Sequence, residues 1–425
     1  MKIKLPEHVH YIIEELERHG YEAYAVGGCV RDSILGRVPD DWDITTSAKP
    51  EQVKAIFKRT IDTGIQHGTI TVMMEKSGYE VTTYRIDGEY EDSRHPKEVI
   101  FTSNLIEDLK RRDFTINAMA YSEKTGLVDV FDGIGDINRK MIRCVGEAKE
   151  RFSEDALRIL RAVRFAAQLQ FQIEKETKEA VKELAPNLKN ISAERIQTEL
   201  LKLLMSSQPE RLEEAYQLGI TKVVLPEFDR IMECTQETVH HQYTVGKHTL
   251  EALKCIECDK TLRLSILLHD FGKPEKKTLD SHGKAHFHGH AELGADMAEA
   301  ILRRLKFDNM TTSKVKKLVE LHDHRPSLTK KSVKKLIVKS GVELFEPLLK
   351  VKQADTLAQS EYKREEKLTY IKELEKIYQQ ILEEKDCISL KELAVNGGDL
   401  LAMGIPQGKR MGEILKDLFE AVLER

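Results

Sequence analysis

The feature that most restricts how this chain can fold is a change of hydrophobic period near residue 150. Before it, the short β-rich runs YEAYAVGG, GTITVMME and YEVTTYRI alternate with helical stretches and turn signals, the pattern of a small α/β unit. After it the β-type runs stop. Apolar residues then recur at helical spacing over 151–170, 174–185, 192–206, 208–218, 248–272, 290–306, 312–323, 331–339, 342–383 and 410–424. The expected fold class is therefore α+β, a small α/β head followed by an all-α remainder. No fixed-period repeat is present, which disfavours a solenoid. In LPEFDRIMECTQETVHHQY a proline ends one helix and histidines open a segment of new composition, so a boundary is expected there.

At 425 residues the chain exceeds one compact core, and roughly 100 to 200 residues per domain implies about two to four. Hydrophobic residues at 40% and charged residues at 32% suit a helix-rich globular protein. The net charge of −4 argues against bulk electrostatic binding of nucleic acid, so phosphate contacts must come from local patches. One candidate is KVKKLVELHDHRPSLTKKSVKKLIVK, Lys314 to Lys339, with nine Lys and Arg; a solvated helical face is the commoner outcome for such a stretch. The N-terminus has no signal-type apolar core and no run approaches the roughly 20 apolar residues of a membrane span, so a cytoplasmic protein without a membrane partner is expected. The six scattered cysteines suit reduced thiols, and the single CIEC, on an apparently helical stretch without a second CxxC, reads as structural rather than zinc-binding.

Two places in the head carry chemistry. AVGGCVRDSILG sets two glycines between a β run and a helix starting near Val30, so the backbone at Gly28 and the helix N-terminus can approach a phosphate, with Arg31 in the first turn to pair with it. A tight turn needs such glycines for steric reasons alone. The weight shifts with PDDWDITT, where Asp41 and Asp43 are two apart and share a face if extended. Two adjacent carboxylates repel unless a cation lies between them, and a Mg²⁺ pair there can activate a hydroxyl and stabilise departing pyrophosphate. Downstream, DLKRRDFTINAMA supplies Arg112 for a phosphate or sugar. It also supplies Asp113 and Asn117, four apart, which share a face for a ribose hydroxyl if helical; Asp113 as a simple helix N-cap is equally compatible with the spacing.

RFSEDALRILRAVRFAAQLQ places Asp155, Arg158, Arg161 and Arg164 three apart, a slanted ridge on one side of a helix over 153–168. A carboxylate only accepts hydrogen bonds and a guanidinium only donates them. Cytosine and adenine both present an exocyclic amino donor beside a ring-nitrogen acceptor, whereas guanine and uracil present a carbonyl acceptor beside an N–H. An Asp and Arg meeting the Watson–Crick edge would therefore take C and A and reject G and U. A helix laced with i,i+3 salt bridges is the plainer alternative.

At these residues the chain resembles the class II tRNA nucleotidyltransferases, the bacterial CCA-adding enzymes and their poly(A) polymerase relatives. The motifs GGCVRD, DWD, QHGTITV, RRDFTINAMA, FDGIGD, EDALRILRAVRF and SAERIQTELLKLL carry the resemblance over about the first 210 residues. It implies a nucleotidyltransferase head over 1–150, a helical neck over 151–225, a body over 226–365 and a tail over 366–425, with tRNA, CTP and ATP as partners and Mg²⁺ as cofactor. By the same resemblance Asp41 and Asp43 are catalytic and hold the metals; Gly28, Arg31 and Arg112 hold triphosphate and ribose; Asp155 and Arg158 read the base, supported by Arg161 and Arg164. The acceptor arm of tRNA would lie along the basic helical part. YRIDGEYEDSRHP, Tyr84 to Pro96, looks like the flexible loop of full CCA-adding members, so the terminal A is expected; an A-adding enzyme or a poly(A) polymerase stays open as an alternative.

A second constellation follows. KHTLEAL, LLHDFGKP, HFHGHAELGA, LHDHRP and KQADTLAQ set His248, His269, Asp270, His290, His322 and Asp355 in the order of an HD-domain metal site, which makes the body HD-type. Imidazoles and carboxylates suit Mn²⁺, Ni²⁺ or Fe²⁺, and two such ions could activate water against a phosphoester, 2′,3′-cyclic phosphate ends among the candidates. His240, His241, His282, His286, His288 and His324 read as surface residues or substrate contacts. Other functional classes kept open are an HD phosphohydrolase with a degenerate head and a non-catalytic RNA-binding protein.

Overall fold

The computed structural model describes residues 2–88, 99–240 and 242–424. The chain forms two compact units, Met1–Val224 and Leu225–Arg425.

The first unit is built on a seven-stranded sheet of β1 (Ala23–Val26), β2 (Ile44–Thr46), β3 (Thr60–Gly64), β4 (Thr69–Met74), β5 (Ser77–Thr83), β6 (Met119–Ser122) and β7 (Gly126–Asp129), in the order β3-β4-β5-β2-β1-β6-β7. β1 runs antiparallel to β2 and β6, and all four of its residues are buried, the mark of a central strand. β2 pairs parallel with β5, Ile44 opposite Val81. The helix Glu7–Arg18 turns Val9, Ile12, Ile13 and Leu16 inward, a helical-period stripe. Tyr24, Val26, Tyr84, Leu105, Leu109 and Ala120 form another buried cluster. Tyr84, the first residue of the expected flexible loop, belongs to this core, and residues 89–96 of that loop lie outside the described residues.

The helix expected over 151–170 is two helices, Ala148–Glu154 and Leu157–Leu169. Asp155 breaks it: its backbone is extended at φ −136°, ψ 103°, and its side chain accepts from the Leu157 N–H at 3.0 Å, a local bond that competes with helix continuation. Eleven of the thirteen residues of Leu157–Leu169 are buried, Arg158 and Arg164 among them. This helix is a core element rather than a surface amphipath, so its arginines must find partners inside. Short strands also persist past residue 150: Gln172–Ile173 pairs with Met141–Ile142, and Thr278–Leu279 with Ala285–His286.

The second unit is helical apart from that hairpin. Its main helices are Val245–Cys255, Lys260–Leu268, His290–Arg304, Asn309–Leu321, Lys330–Ser340, Val342–Ala358 and Arg364–Glu383. The run expected over 248–272 divides where Asp259 caps a new helix by accepting from the Leu262 N–H, which leaves Cys255 at a helix end and Cys258 beyond it. The run expected over 342–383 divides at Lys363, whose φ is 56°. Leu318, Val333, Ile337, Phe345, Leu348, Leu374 and Ile381 centre its core. Eight of the nine basic residues between Lys314 and Lys339 pair with acids of the same unit: Lys316 with Asp296 and Glu299, Lys317 and Lys339 with Glu320, Arg325 with Asp323, Lys330 with Glu384, Lys331 and Lys335 with Glu424, and Lys334 with Asp386. The stretch is a paired, solvated face. All six cysteines are free thiols, and among the described residues no helix is long and apolar enough to cross a membrane.

Candidate functional site

Asp41 and Asp43 stand on the run into β2 rather than within the strand, which has only three residues. The Val26 N–H donates to the Asp43 carbonyl at 3.0 Å and fixes this run against the end of β1. Asp43 is exposed in surface terms, yet the packing around it raises its carboxyl above the ordinary value; Arg112 opposes the rise and the like charge of Asp41 adds to it. Carrying the β2–β5 register back one residue brings Glu80 beside Asp43, and Glu80 is itself raised by desolvation and by the charges of Asp43 and Asp41. Asp41, Asp43 and Glu80 thus feel one another's charge, a repulsion that a divalent cation between them would relieve, although their oxygens are not drawn into a ready-made ligand set within 4.8 Å of one another. Glu80 was missed from sequence because only the strand register brings it to this place.

The glycine turn works through Gly27 more than Gly28. Gly27 has φ 83° and ψ −129°, and a Cβ built on it would meet Arg112 Nη1 at 2.9 Å, while one on Gly28 meets only Arg31 Nη2 at 3.7 Å. The guanidinium of Arg112 therefore lies directly on the turn. It reaches Asp108 at 3.6 Å, and its enclosed Nε finds no hydrogen-bond partner among the described residues. Arg31 is differently placed from expectation: Nε and Nη2 clasp Asp32 at 3.0 and 2.8 Å, and Nη1 donates to Asn117 Oδ1 at 2.6 Å.

Asp113 and Asn117 do meet, without an α-helix between them. Thr115–Asn117 is one 3₁₀ turn, Asp113 accepts from the Phe114 N–H at 2.8 Å, and Asn117 Nδ2 donates to Asp113 Oδ1 at 3.0 Å. Arg161 Nε donates to Asp113 Oδ2 at 2.7 Å, and Arg164 Nε to the buried Glu199 at 2.8 Å. Desolvation would raise the Asp113 carboxyl, yet Arg161 and Asn117 hold it well below the carboxylate range. Three guanidinium carbons surround the Phe165 ring, Arg164 at 3.6 Å, Arg31 at 5.0 Å and Arg161 at 5.3 Å. Arg31, Asn117, Asp113, Arg161, Glu199 and Arg164 thus form one continuous polar chain, buried except at Arg161, whose side chain is 31% exposed.

Asp155 and Arg158 differ from this chain. Asp155 lies between the helices, not on the ridge: Oδ2 accepts from Arg195 Nη2 at 2.7 Å and Oδ1 from the Leu157 N–H, which leaves lone pairs on a carboxylate whose side chain is 19% exposed. Arg158 donates to Glu154 at 2.6 Å and to the Arg111 carbonyl at 2.9 Å. That second bond ties it to the residue preceding Arg112. Arg195, from SAERIQ, and Glu199, four residues on, were missed because their partners lie 40 and 35 residues away along the chain.

The second unit brings all six expected ligands together. His248 Nε2 lies 2.8 Å from Asp355 and 3.8 Å from Asp270; His269 Nε2 lies 3.2 Å from Asp270; His290 and His322 Nε2 lie 3.5 and 3.6 Å from the other oxygen of Asp270. Each imidazole is anchored through Nδ1 to a backbone carbonyl, of Ala358, Ile266, Phe287 and Val319 in turn, which leaves Nε2 facing the cluster. Gly272 makes the approach possible: a Cβ there would stand 2.3 Å from the His290 carbonyl. Against desolvation that would raise them, the imidazoles, with Lys273 beside Asp270, hold Asp270 and Asp355 far below the usual range. His269 Nε2 and Asp270 Oδ2 are enclosed without a well-aligned hydrogen bond. Among the described residues, groups of three possible ligand atoms within 4.8 Å occur at His248, His269 and Asp270 and at Asp270, His290 and His322, two overlapping sets that share one carboxylate and suit two ions. Beside them opens a cavity of about 540 Å³.

Three families match this chain: the poly A polymerase head domain over residues 23–143, the probable RNA and SrmB-binding site of polymerase A over 170–232, and the putative tRNA nucleotidyltransferase domain 2 over 285–425. CCA-adding enzymes of Lactiplantibacillus plantarum and Enterococcus faecalis are 54% identical over 198 residues and 53% over 194, covering 47% and 46% of this chain. Those alignments span about half of the relatives' own length, 49% and 48%. The crystal structure of the Bacillus stearothermophilus CCA-adding enzyme in complex with CTP aligns with 99% of this chain and 94% of its own at 31% identity and a TM-score of 0.72. The Thermotoga maritima CCA-adding enzyme complexed with tRNA, at 20% identity, shares the fold with a TM-score of 0.57 over 100% of this chain and 98% of its own.

Proposed function

The chain belongs to the CCA-adding enzymes, whose nucleotidyltransferase chemistry uses divalent metal ions, and on that premise we propose that it adds C, C and A to the 3′ end of tRNA from CTP and ATP without a nucleic-acid template. One observation carries the reading: the segment 111–117 joins both halves of the site. Arg112 reaches the Gly27 turn and the field of Asp43, while Arg111 and Asp113 hold Arg158 and Arg161.

Asp41 and Asp43, with Glu80 beside them, would hold Mg²⁺, which supplies Lewis acidity toward the attacking hydroxyl and the triphosphate. The residues of the chain do the rest. Arg112 and the turn at Gly27 and Gly28 take phosphate oxygens. Asp155 accepts from the amino group of C or A, and Arg158 donates to the neighbouring ring nitrogen. Arg31, Asp113, Asn117, Arg161 and Arg164 are positioning residues that fix the loop and the helix carrying Arg158. The tRNA hydroxyl gives up its proton to solvent as its oxygen bonds to the α-phosphorus, the α–β bridging bond breaks, and pyrophosphate leaves. The setting is cytoplasmic.

The test incubates tRNA ending at the discriminator base, at C and at CC with each labelled NTP in Mg²⁺. Stepwise products ending at CCA are expected, and none with Asp41→Ala. Long A tails on arbitrary RNA would make it a poly(A) polymerase; addition of A alone would make it an A-adding enzyme.

A second reading concerns the other unit, because six ligands converge there with every imidazole pre-aimed. His248, His269, Asp270, His290, His322 and Asp355 would hold two transition-metal ions, Mn²⁺, Ni²⁺ or Fe²⁺, which supply Lewis acidity toward a phosphoester. In that hydrolysis water adds to phosphorus, the P–O ester bond breaks, and the departing oxygen takes the proton. Elemental analysis of the purified protein is expected to find about two ions per chain, lost in Asp270→Ala; a metal-free wild type after growth in supplemented medium would end this reading.

A further inference from the structure

The cavity beside the His and Asp cluster has a second wall that the metal reading does not use. Lys367, Arg325 and His240 line it together with Asp270, His322 and Asp355. Lys367 is joined to the cluster through one amide: Gln359 Nε2 donates to both oxygens of Asp355 at 3.1 Å, and Gln359 Oε1 accepts from Lys367 Nζ at 2.5 Å. Lys367 also sits 3.3 Å from His240 Nδ1. Acids share the lining: Asp323 lies 3.7 Å from Arg325, Glu320 is paired with Lys317 and Lys339, Asp270 and Asp355 belong to the cluster, and Glu292 lines the cavity too. An imidazole placed there reports the field: burial, then Lys367, Lys284, Arg325 and Lys363, all push His240 below its ordinary pKa. Beyond His240 stands Tyr362, ring centroids 5.0 Å apart, with 48% of its surface exposed, an aromatic face open to a planar ring.

Resting on the metal-site reading, we infer that His240, Arg325 and Lys367 form an anion subsite for the phosphate one nucleotide away from the phosphoester held at the cluster, so that the preferred ligand is an RNA end with two consecutive phosphates and a base on Tyr362. A mononucleotide fills the cluster and leaves the cationic wall unmatched. A dinucleotide ending in a phosphate fills both, and stacking of its inner base on an exposed aromatic is sequence-tolerant.

The subsite is made of side chains alone, so it is testable without metal. Calorimetric titration of the EDTA-treated full chain with the 3′-phosphorylated dinucleotide ApCp and with 3′-CMP is expected to show about tenfold tighter binding of ApCp, weakening with salt as one phosphate contact requires. Arg325→Ala, at an exposed side chain that leaves the fold alone, and Lys367→Ala are each expected to lower that preference severalfold, and Tyr362→Ala to reduce it further. In the Mn²⁺-loaded protein the same changes raise KM for ApCp far more than kcat falls. Equal binding of the two ligands by wild type, or a preference that survives both cation substitutions, overturns the inference. If the preference holds in the metal-free chain but the loaded protein hydrolyses neither ligand, the hydrolase reading fails and the subsite stands. If both are hydrolysed with equal KM, the subsite fails and the hydrolase reading stands.

Discussion

Gly27→Ala tests how the two halves of the nucleotide site are coupled. The backbone at Gly27, φ 83° and ψ −129°, lies in a region that side-chain-bearing residues adopt at about 1–3 kcal/mol. For a unit of this size that lowers the melting temperature by a few degrees. The second effect is larger for activity. The new methyl would stand 2.9 Å from Arg112 Nη1, closer than van der Waals contact allows, so the guanidinium, the free end of a flexible side chain, must shift from its place on the turn. Losing one prepositioned cationic donor from a developing phosphate charge costs about 10²–10³ in rate. Nucleotide addition should therefore fall much further than the melting temperature implies. Gly28→Ala is the milder change, because its helical Cβ finds only Arg31 Nη2 at 3.7 Å. The assay is single-turnover addition of C to tRNA lacking CCA, with wild type, Gly27→Ala, Arg112→Ala and the double variant. If the glycine acts through Arg112, the double variant is little worse than Arg112→Ala, a strongly non-additive cycle. Additive losses, or a Gly27→Ala enzyme within about threefold of wild type, would refute the coupling.

The remaining predictions concern base choice, the interior ion pairs and acid. Asp155→Ala should lower kcat/KM for CTP and ATP relative to GTP and UTP by about 10- to 100-fold, the worth of one good polar recognition pair; measuring all four triphosphates checks it. Arg195→Ala should do the same more weakly by releasing the Asp155 carboxylate. Glu199→Gln leaves the buried Arg164 without its charge partner and should destabilise by about 3 kcal/mol or more, whereas Glu199→Gln with Arg164→Met should recover part of that in urea unfolding. Asp113 is held below its unfolded pKa by Arg161 and Asn117, so its contribution is present above about pH 4 and lost as pH falls; Asp113→Asn should lower stability at pH 7 and flatten the acid limb.

The sequence carried the residue types of both sites further than it carried their partners, and the reason is separation along the chain. The convergence of the six His and Asp side chains was legible because each sits at a helix end or in a short motif, and convergence needs only that those ends meet. The ridge of Asp155, Arg158, Arg161 and Arg164 was legible as a pattern but not as an arrangement. A three-residue period describes where side chains leave an unbroken helix, and the bond from Asp155 to the Leu157 N–H is a local contact that propensity does not weigh. Once the helix breaks there, Asp155 leaves the ridge, while Arg158 and Arg161 both bond to the segment 111–117, Arg158 to the Arg111 carbonyl and Arg161 to the Asp113 carboxylate. Arg161 and Arg164 turn to Asp113 and Glu199, 48 and 35 residues away, and three-residue spacing cannot distinguish a guanidinium that meets substrate from one that meets an interior carboxylate. The same limit explains Glu80, which enters only through strand register, and Gly27, for which the sequence shows a glycine pair but not which member carries the positive φ. Substitutions can separate the two kinds of arginine where spacing cannot. Removing an interior guanidinium should appear first in stability, and removing one that meets the nucleotide should appear first in kcat/KM.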